Sequence, residues 1–183
     1  MKGRSDFERV LEQYLQKGGA VLFELPEEGY LEGNIASLDA LTRKGFSGLY
    51  ISLERPFSEV QSRLKRKGVD MGRVLFVDAF MQEHGSDTEN GCVHIPATIA
   101  IDELVRAINR SLPKLKSRRR FILIDSGPAL SLGKPLSEIE RFWEFLARTM
   151  RKREFEDMLV VLNVPEGVER QSFRFESAFR FYI

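Results

Sequence analysis

Cysteine is almost missing: Cys92 stands alone among 183 residues, which excludes an internal disulfide and is compatible with a reducing cytosol. No run is long and apolar enough for a membrane span, and the start, MKGRSDFERV, has no apolar segment of the secretory kind. The sequence therefore predicts a cytoplasmic protein with no membrane partner. Asn and Gln are scarce beside Glu, Arg and Lys, a balance that leans toward a thermophilic source. The most telling absence is local. From Gly18 to Thr42 there is neither Lys nor Arg, although the chain carries 28 of them in all.

What is present is enough for one well-buried core, with 43% hydrophobic residues, and predicts a single domain over 1–183. Helix and strand signals alternate. Ser5 and Glu8 make a capping box for an N-terminal helix within 1–18. In the core over 20–163, a short strand at 20–23 precedes a helix marked by Leu31, Ile35, Leu38 and Leu41. A strand at 48–53 leads to a helix with Pro56 as its first residue and Gly68 at its end. The strand 74–77 ends in Asp78, and 81–97 lacks periodicity and reads as a long loop. A helix through Ile101, Leu104 and Ile108 is closed by Pro113. Further on, Ser137 with Glu140 caps a helix, and a strand over 158–162 ends in Asn163. Residues 172–183 alternate (Phe173, Phe175, Phe179, Phe181) and read as terminal, antiparallel strands. This alternation predicts an α/β fold of three layers, a mostly parallel sheet with helices on both faces.

The chain is organised around RFILIDSGPAL, residues 120–130. Four apolar residues in succession describe a strand buried on both faces, and the run breaks at Asp125, at the edge where open α/β sheets bind ligands. Glu54 and Asp78 end neighbouring strands in the same way. Carboxylates converging there suit Mg²⁺ or Mn²⁺ in phosphoester hydrolysis. The alternative is that Asp78 and Asp125 accept hydrogen bonds from loop N–H groups or cap helices. His84, Cys92 and His94 are metal-ligand types, but their spacing matches no common zinc pattern.

GLYISLE (48–54), VLFVDA (74–79) and FILIDS (121–126) with Ala129 and Leu130 resemble segments of the RecA and KaiC family of ATPases. The likeness spans about 21–163 in element order. It implies a RecA-like core in which Glu54 orients the attacking water, Asp125, followed by Ser126, holds magnesium through water, and Asn163 senses the γ-phosphate. Two departures bear on activity. Glu54 is followed by Arg55 where the family carries a second acid. The segment in the phosphate-loop position is ELPEEGYLEG (24–33): Gly29 and Gly33 remain, the Lys-Ser/Thr pair does not, and Pro26 removes a backbone donor. Glu24, Glu27, Glu28 and Glu32 add negative charge, and each close like-charge pair with a triphosphate costs about 1 to 4 kcal/mol. GPALSLGK (127–134) is one residue too long for a phosphate loop and is followed by Pro135, though Lys134 could still supply a substitute phosphate ligand. ATP with magnesium is thus disfavoured.

Charge is segregated. Arg43 and Lys44, the stretch ending in Arg66 and Lys67, Arg73, the run Arg118, Arg119 and Arg120, and the run Arg151, Lys152 and Arg153 all fall at helix ends leading into strands, on the amino edge of the sheet. Helix C-termini favour cations by about 0.3 to 1 kcal/mol each, which leaves the triple arginine without a local account. These residues predict association with another copy or with a related RecA-like ATPase subunit. Nucleic acid is the lesser reading, because no aromatics interleave with the clusters. The function expected is a non-catalytic regulatory or assembly module on an inactivated ATPase core. The alternative is an enzyme: an unorthodox ATPase using Lys134, or a metal-dependent phosphohydrolase using Asp78 and Asp125.

Overall fold

An apolar run with no polar member can be satisfied only between two other strands, and the strand Arg120–Ile124 lies so. In the computed structural model, which describes residues 19–25, 28–80, 88–89, 91–95, 101–126, 129–130, 132–155 and 157–165, each of its side chains from Phe121 to Ile124 is wholly buried. The helix expected within 1–18, the strands expected over 172–183, and Pro26, Glu27 and His84 fall outside the described residues.

The strands are β1 (Gly19–Leu25), β2 (Ser47–Ser52), β3 (Val74–Asp78), β4 (Thr88–Glu89), β5 (Cys92–His94), β6 (Arg120–Ile124) and β7 (Met158–Pro165). Their spatial order is β1-β7-β6-β2-β3-β5-β4; the first six are parallel, and β4 pairs antiparallel to β5. The helices are α1 (Tyr30–Arg43), α2 (Phe57–Lys67), α3 (Ile101–Ser111) and α4 (Leu136–Met150). No described helix is long and apolar enough to cross a membrane.

Because alternate side chains of a strand point to opposite faces, β6 serves two cores. Phe121 and Leu123 pack with Leu38 and Leu41 of α1 and Val60 and Leu64 of α2. Ile122 and Ile124 pack with Leu104 and Ile108 of α3 and Phe142 and Leu146 of α4. This is the expected α/β/α arrangement.

Local expectations shift in five places. The stretch 81–97 is not simply loop: Cys92, Val93 and His94 extend the sheet beside Phe76, Val77 and Asp78, in a strand too short to show a period. Pro56 is the N-cap of α2 rather than its first residue, and α4 starts after Pro135, so Ser137 sits inside the helix and not at its cap. Asn163 lies within β7, which runs on to Pro165. Gly33 belongs to α1, its N–H bonded to the Gly29 carbonyl at 2.9 Å, so it is a helical residue and no part of a phosphate-cradling turn.

Gly48 is fixed by close approach. It faces Phe121 across the β2–β6 ladder, and a Cβ there would lie 2.4 Å from the ring. At Gly33 a Cβ would meet the movable tip of Leu25 at 2.6 Å. Gly48→Ala is expected to lower stability by about 1 to 3 kcal/mol through overpacking. Gly33→Ala should stay near wild type, since a helix-propensity gain of about 1 kcal/mol offsets a small rotation of Leu25. Urea midpoints of the two variants check this, and equal losses would contradict it.

Candidate functional site

The sheet order brings β1, β7, β6 and β2 side by side, so their carboxyl ends form one edge. Ile124 is in register with Leu162 of β7 and Ile51 of β2, which sets Asp125 next to Asn163 on one side and Ser52 on the other. Residues 26–29 alone link β1 to α1. Gly29, at φ 99°, makes the left-handed turn into the helix, and Tyr30 is the first helical residue.

Asp125 is buried, and its carboxyl is engaged from β2. The Leu53 N–H donates to Oδ1 at 2.8 Å, Ser52 Oγ lies 3.0 Å from Oδ2, and the Tyr50 hydroxyl reaches Oδ2 at 3.3 Å. Burial pushes the carboxyl up to about 7, offset in part by the Leu53 and Ser52 hydrogen bonds. Ser52 Oγ also lies 2.7 Å from the Arg55 carbonyl, so its one proton is shared between that carbonyl and Asp125 Oδ2.

Tyr30 closes the site from the other side. Its hydroxyl reaches the carbonyls of Asp125 and, at 2.6 Å, Asn163, and burial raises its pKa, helped by the charges of Asp125 and Glu54. Asn163 Nδ2 donates to Asn34 Oδ1 of α1 at 2.5 Å, and Ser126 Oγ donates to Glu54 Oε1 at 2.5 Å. The sequence-level site residues Glu54, Asp125, Ser126 and Asn163 are therefore brought together. Gly29 stands exposed at the entry of α1, and Gly33 lies in the helix beyond it.

Lys134 lies elsewhere on the same edge. It lines an apolar cleft of about 230 Å³ with Phe80, Ile95, Leu130 and Leu132, and among the described residues no bond joins it to Asp125. Asp78 has separate work: its Oδ2 accepts from the Phe57 N–H at the start of α2 at 2.8 Å, and its Oδ1 from the Phe80 N–H at 3.0 Å. His94 Nδ1 stands 3.5 Å from Asp78. Cys92 beside it is buried, its thiol pushed up to about 12 by burial and by the Asp78 charge. Among the described residues no three metal-ligating side chains cluster.

Tyr30, Tyr50, Ser52 and Asn34 were not legible as site residues. The signal for Tyr30 was its place, an aromatic hydroxyl directly after the glycine that opens α1. At the amino edge, the triple arginine does have a local account. Arg118 pairs with Asp157 at 3.3 Å. Arg119 stacks on Phe46 at 4.9 Å and bonds the Lys44 carbonyl, and Arg120 stacks on Phe155 at 5.0 Å and bonds the Ser117 and Glu154 carbonyls. At the carboxyl edge Asp78 and Asp125 are buried, and Glu32 pairs with Arg63 at 2.9 Å.

The parallel order, with β7 between β1 and β6, defines a three-layer α/β/α fold. Comparison narrows it. No family model and no curated protein matches the chain. Among solved structures it is similar to a KaiC-like protein of the hyperthermophilic archaeon Pyrococcus horikoshii, at 17% identity and TM-score 0.51 over 81% of this chain and 62% of that one. It is also similar to an uncharacterized protein from the same organism, in complex with an unknown peptide, at 17% identity and TM-score 0.58 over 85% and 72% of the two chains. The fold is RecA/KaiC-like, and this chain spans less than two thirds of the KaiC-like protein's length.

Two measurements test the site. The native Asp125 carboxyl holds its proton to about pH 7, whereas the unfolded chain releases it near 3.8, so native Asp125 favours folding most at low pH and loses that advantage as pH rises through 7. Measured against Asp125→Asn, wild-type stability should fall between these limits by about 1.4 kcal/mol per pH unit at steepest. A flat difference would contradict the assignment. Tyr30→Phe removes the single hydroxyl proton that the Asp125 and Asn163 carbonyls share and is expected to cost about 1 to 3 kcal/mol in chemical denaturation.

Proposed function

We propose that this chain is a regulatory or assembly module on a RecA/KaiC-like core that does not hydrolyse ATP and acts by associating with protein, either a second copy or a related RecA-like ATPase subunit. The observation that carries the reading is the engagement of Asp125. Its two oxygens are spent on Leu53, Ser52 and Tyr50, and the Tyr30 hydroxyl occupies the carbonyls beside it. Magnesium with a triphosphate does not fit these residues. The first turn of α1 brings Tyr30, Leu31 and Glu32 where a phosphate needs a cation, and Glu54 adds charge of the wrong sign.

Association is supported by exposed cations. Arg66 and Lys67 in the last turn of α2, and Arg151, Lys152 and Arg153 after α4, are exposed and have no ion-pair partner among the described residues. A peptide in one fold neighbour belongs to that protein. It prompts the reading that the apolar cleft beside Lys134, rimmed by the exposed Leu132, accepts a partner segment here.

Millimolar Mg-ATP is expected to give no phosphate release and no rise in melting temperature that depends on Asp125. A ligand at 100 times its dissociation constant would add about 2.7 kcal/mol, a readily measured shift. A rise that Asp125→Asn removes would restore the nucleotide-binding reading. Light scattering should show a mass above the monomer that falls with salt; a salt-independent monomer would reject association with itself.

A further inference from the structure

We propose a second ligand site at the opposite, amino edge of the sheet, taking a small organic anion: an oxyanion headgroup on an apolar body. A cleft of about 620 Å³ opens there where β2 and β3 begin. This is the size of small-molecule pockets. Its apolar lining is Val74, Leu75 and Leu115, the first and last of them buried, and its exposed residues include Arg73, Lys114 and Lys116.

The charge balance selects an anion. Asp70, the carboxylate of the cleft, is already paired with Arg73 Nε at 3.0 Å, and among the described residues Lys114 and Lys116 have no ion-pair partner, so the cleft carries two uncompensated positive charges. Arg73 is held by Asp70 and approaches the Gly45 carbonyl at 3.5 Å, which fixes its guanidinium before any ligand arrives. Ser47 supplies a second, independent sign. It is 4% exposed, lines the cleft and accepts the Ser117 N–H at 3.0 Å, while among the described residues its own proton has no acceptor. A buried hydroxyl with a proton to donate, set among cations, matches a carboxylate or phosphate oxygen. The apolar lining rewards a ligand with a hydrophobic or flat body over a bare ion.

The site is tested in EDTA at low salt with three probes: inorganic phosphate, AMP and octanoate, followed by calorimetry and melting temperature. AMP or octanoate should bind at least about tenfold more tightly than phosphate, and the better of the two identifies the headgroup. Lys114→Ala with Lys116→Ala, both on the surface, should keep the fold and weaken binding about tenfold or more, the effect of two near-surface charge contacts. Asp125→Asn should leave it unchanged. No binding by any probe, binding indifferent to the lysine pair, or phosphate equal to both organic probes would overturn the proposal. Binding abolished by Asp125→Asn would move the ligand to the carboxyl edge and count against the reading of that edge instead.

Discussion

A carboxyl group taken out of water at the end of a buried strand constrains everything around it. Asp125 follows four side chains that need cover on both faces, so its position is fixed by the core, and its cost must be met where it stands. Strand β2 meets it with the hydroxyls of Tyr50 and Ser52, and Leu53, just beyond the strand, adds a backbone N–H. That requires β2 and β6 to pair in one register, which the contact of Gly48 with Phe121 enforces from further down the ladder. Core packing and edge chemistry are thus set by the same strand pair.

The two edges of the sheet differ in consequence. At the carboxyl edge polar groups answer one another: Tyr30 to two carbonyls, Asn163 to Asn34, Ser126 to Glu54. These bonds stiffen the edge but do not close it, since among the described residues Asn163 Oδ1 is buried without a hydrogen-bond partner. At the amino edge many cations serve the fold, with Arg119 and Arg120 anchoring the ends of helical segments through carbonyls and rings. The cations left over, rather than the count of cations, decide what that edge can recognise.

The fold was legible because its signals were strong and local. Four apolar residues in a row, closed off by Asp-Ser-Gly-Pro, suit a doubly covered parallel strand and little else, and alternation with helices fixes the class. Asp78 and Asp125 were legible as strand-end carboxylates, and hydrogen bonding to loop N–H groups was one of two readings left open. Which donors they would meet was not, since Ser52 and Leu53 lie more than 70 residues from Asp125. Strand β5 escaped because three residues show no period. The triple arginine looked unsupported because its partners are far away in sequence or of another type: Phe46, Phe155 and Asp157 are placed by the fold and not by spacing.

Strand β5 also has a practical consequence. The single thiol of the chain is enclosed between strands and held neutral far above physiological pH. Reagents that attack thiolates will find it inert while the sheet is intact. Its labelling rate is therefore a built-in clock for the opening of that margin of the sheet, readable without introducing any foreign probe.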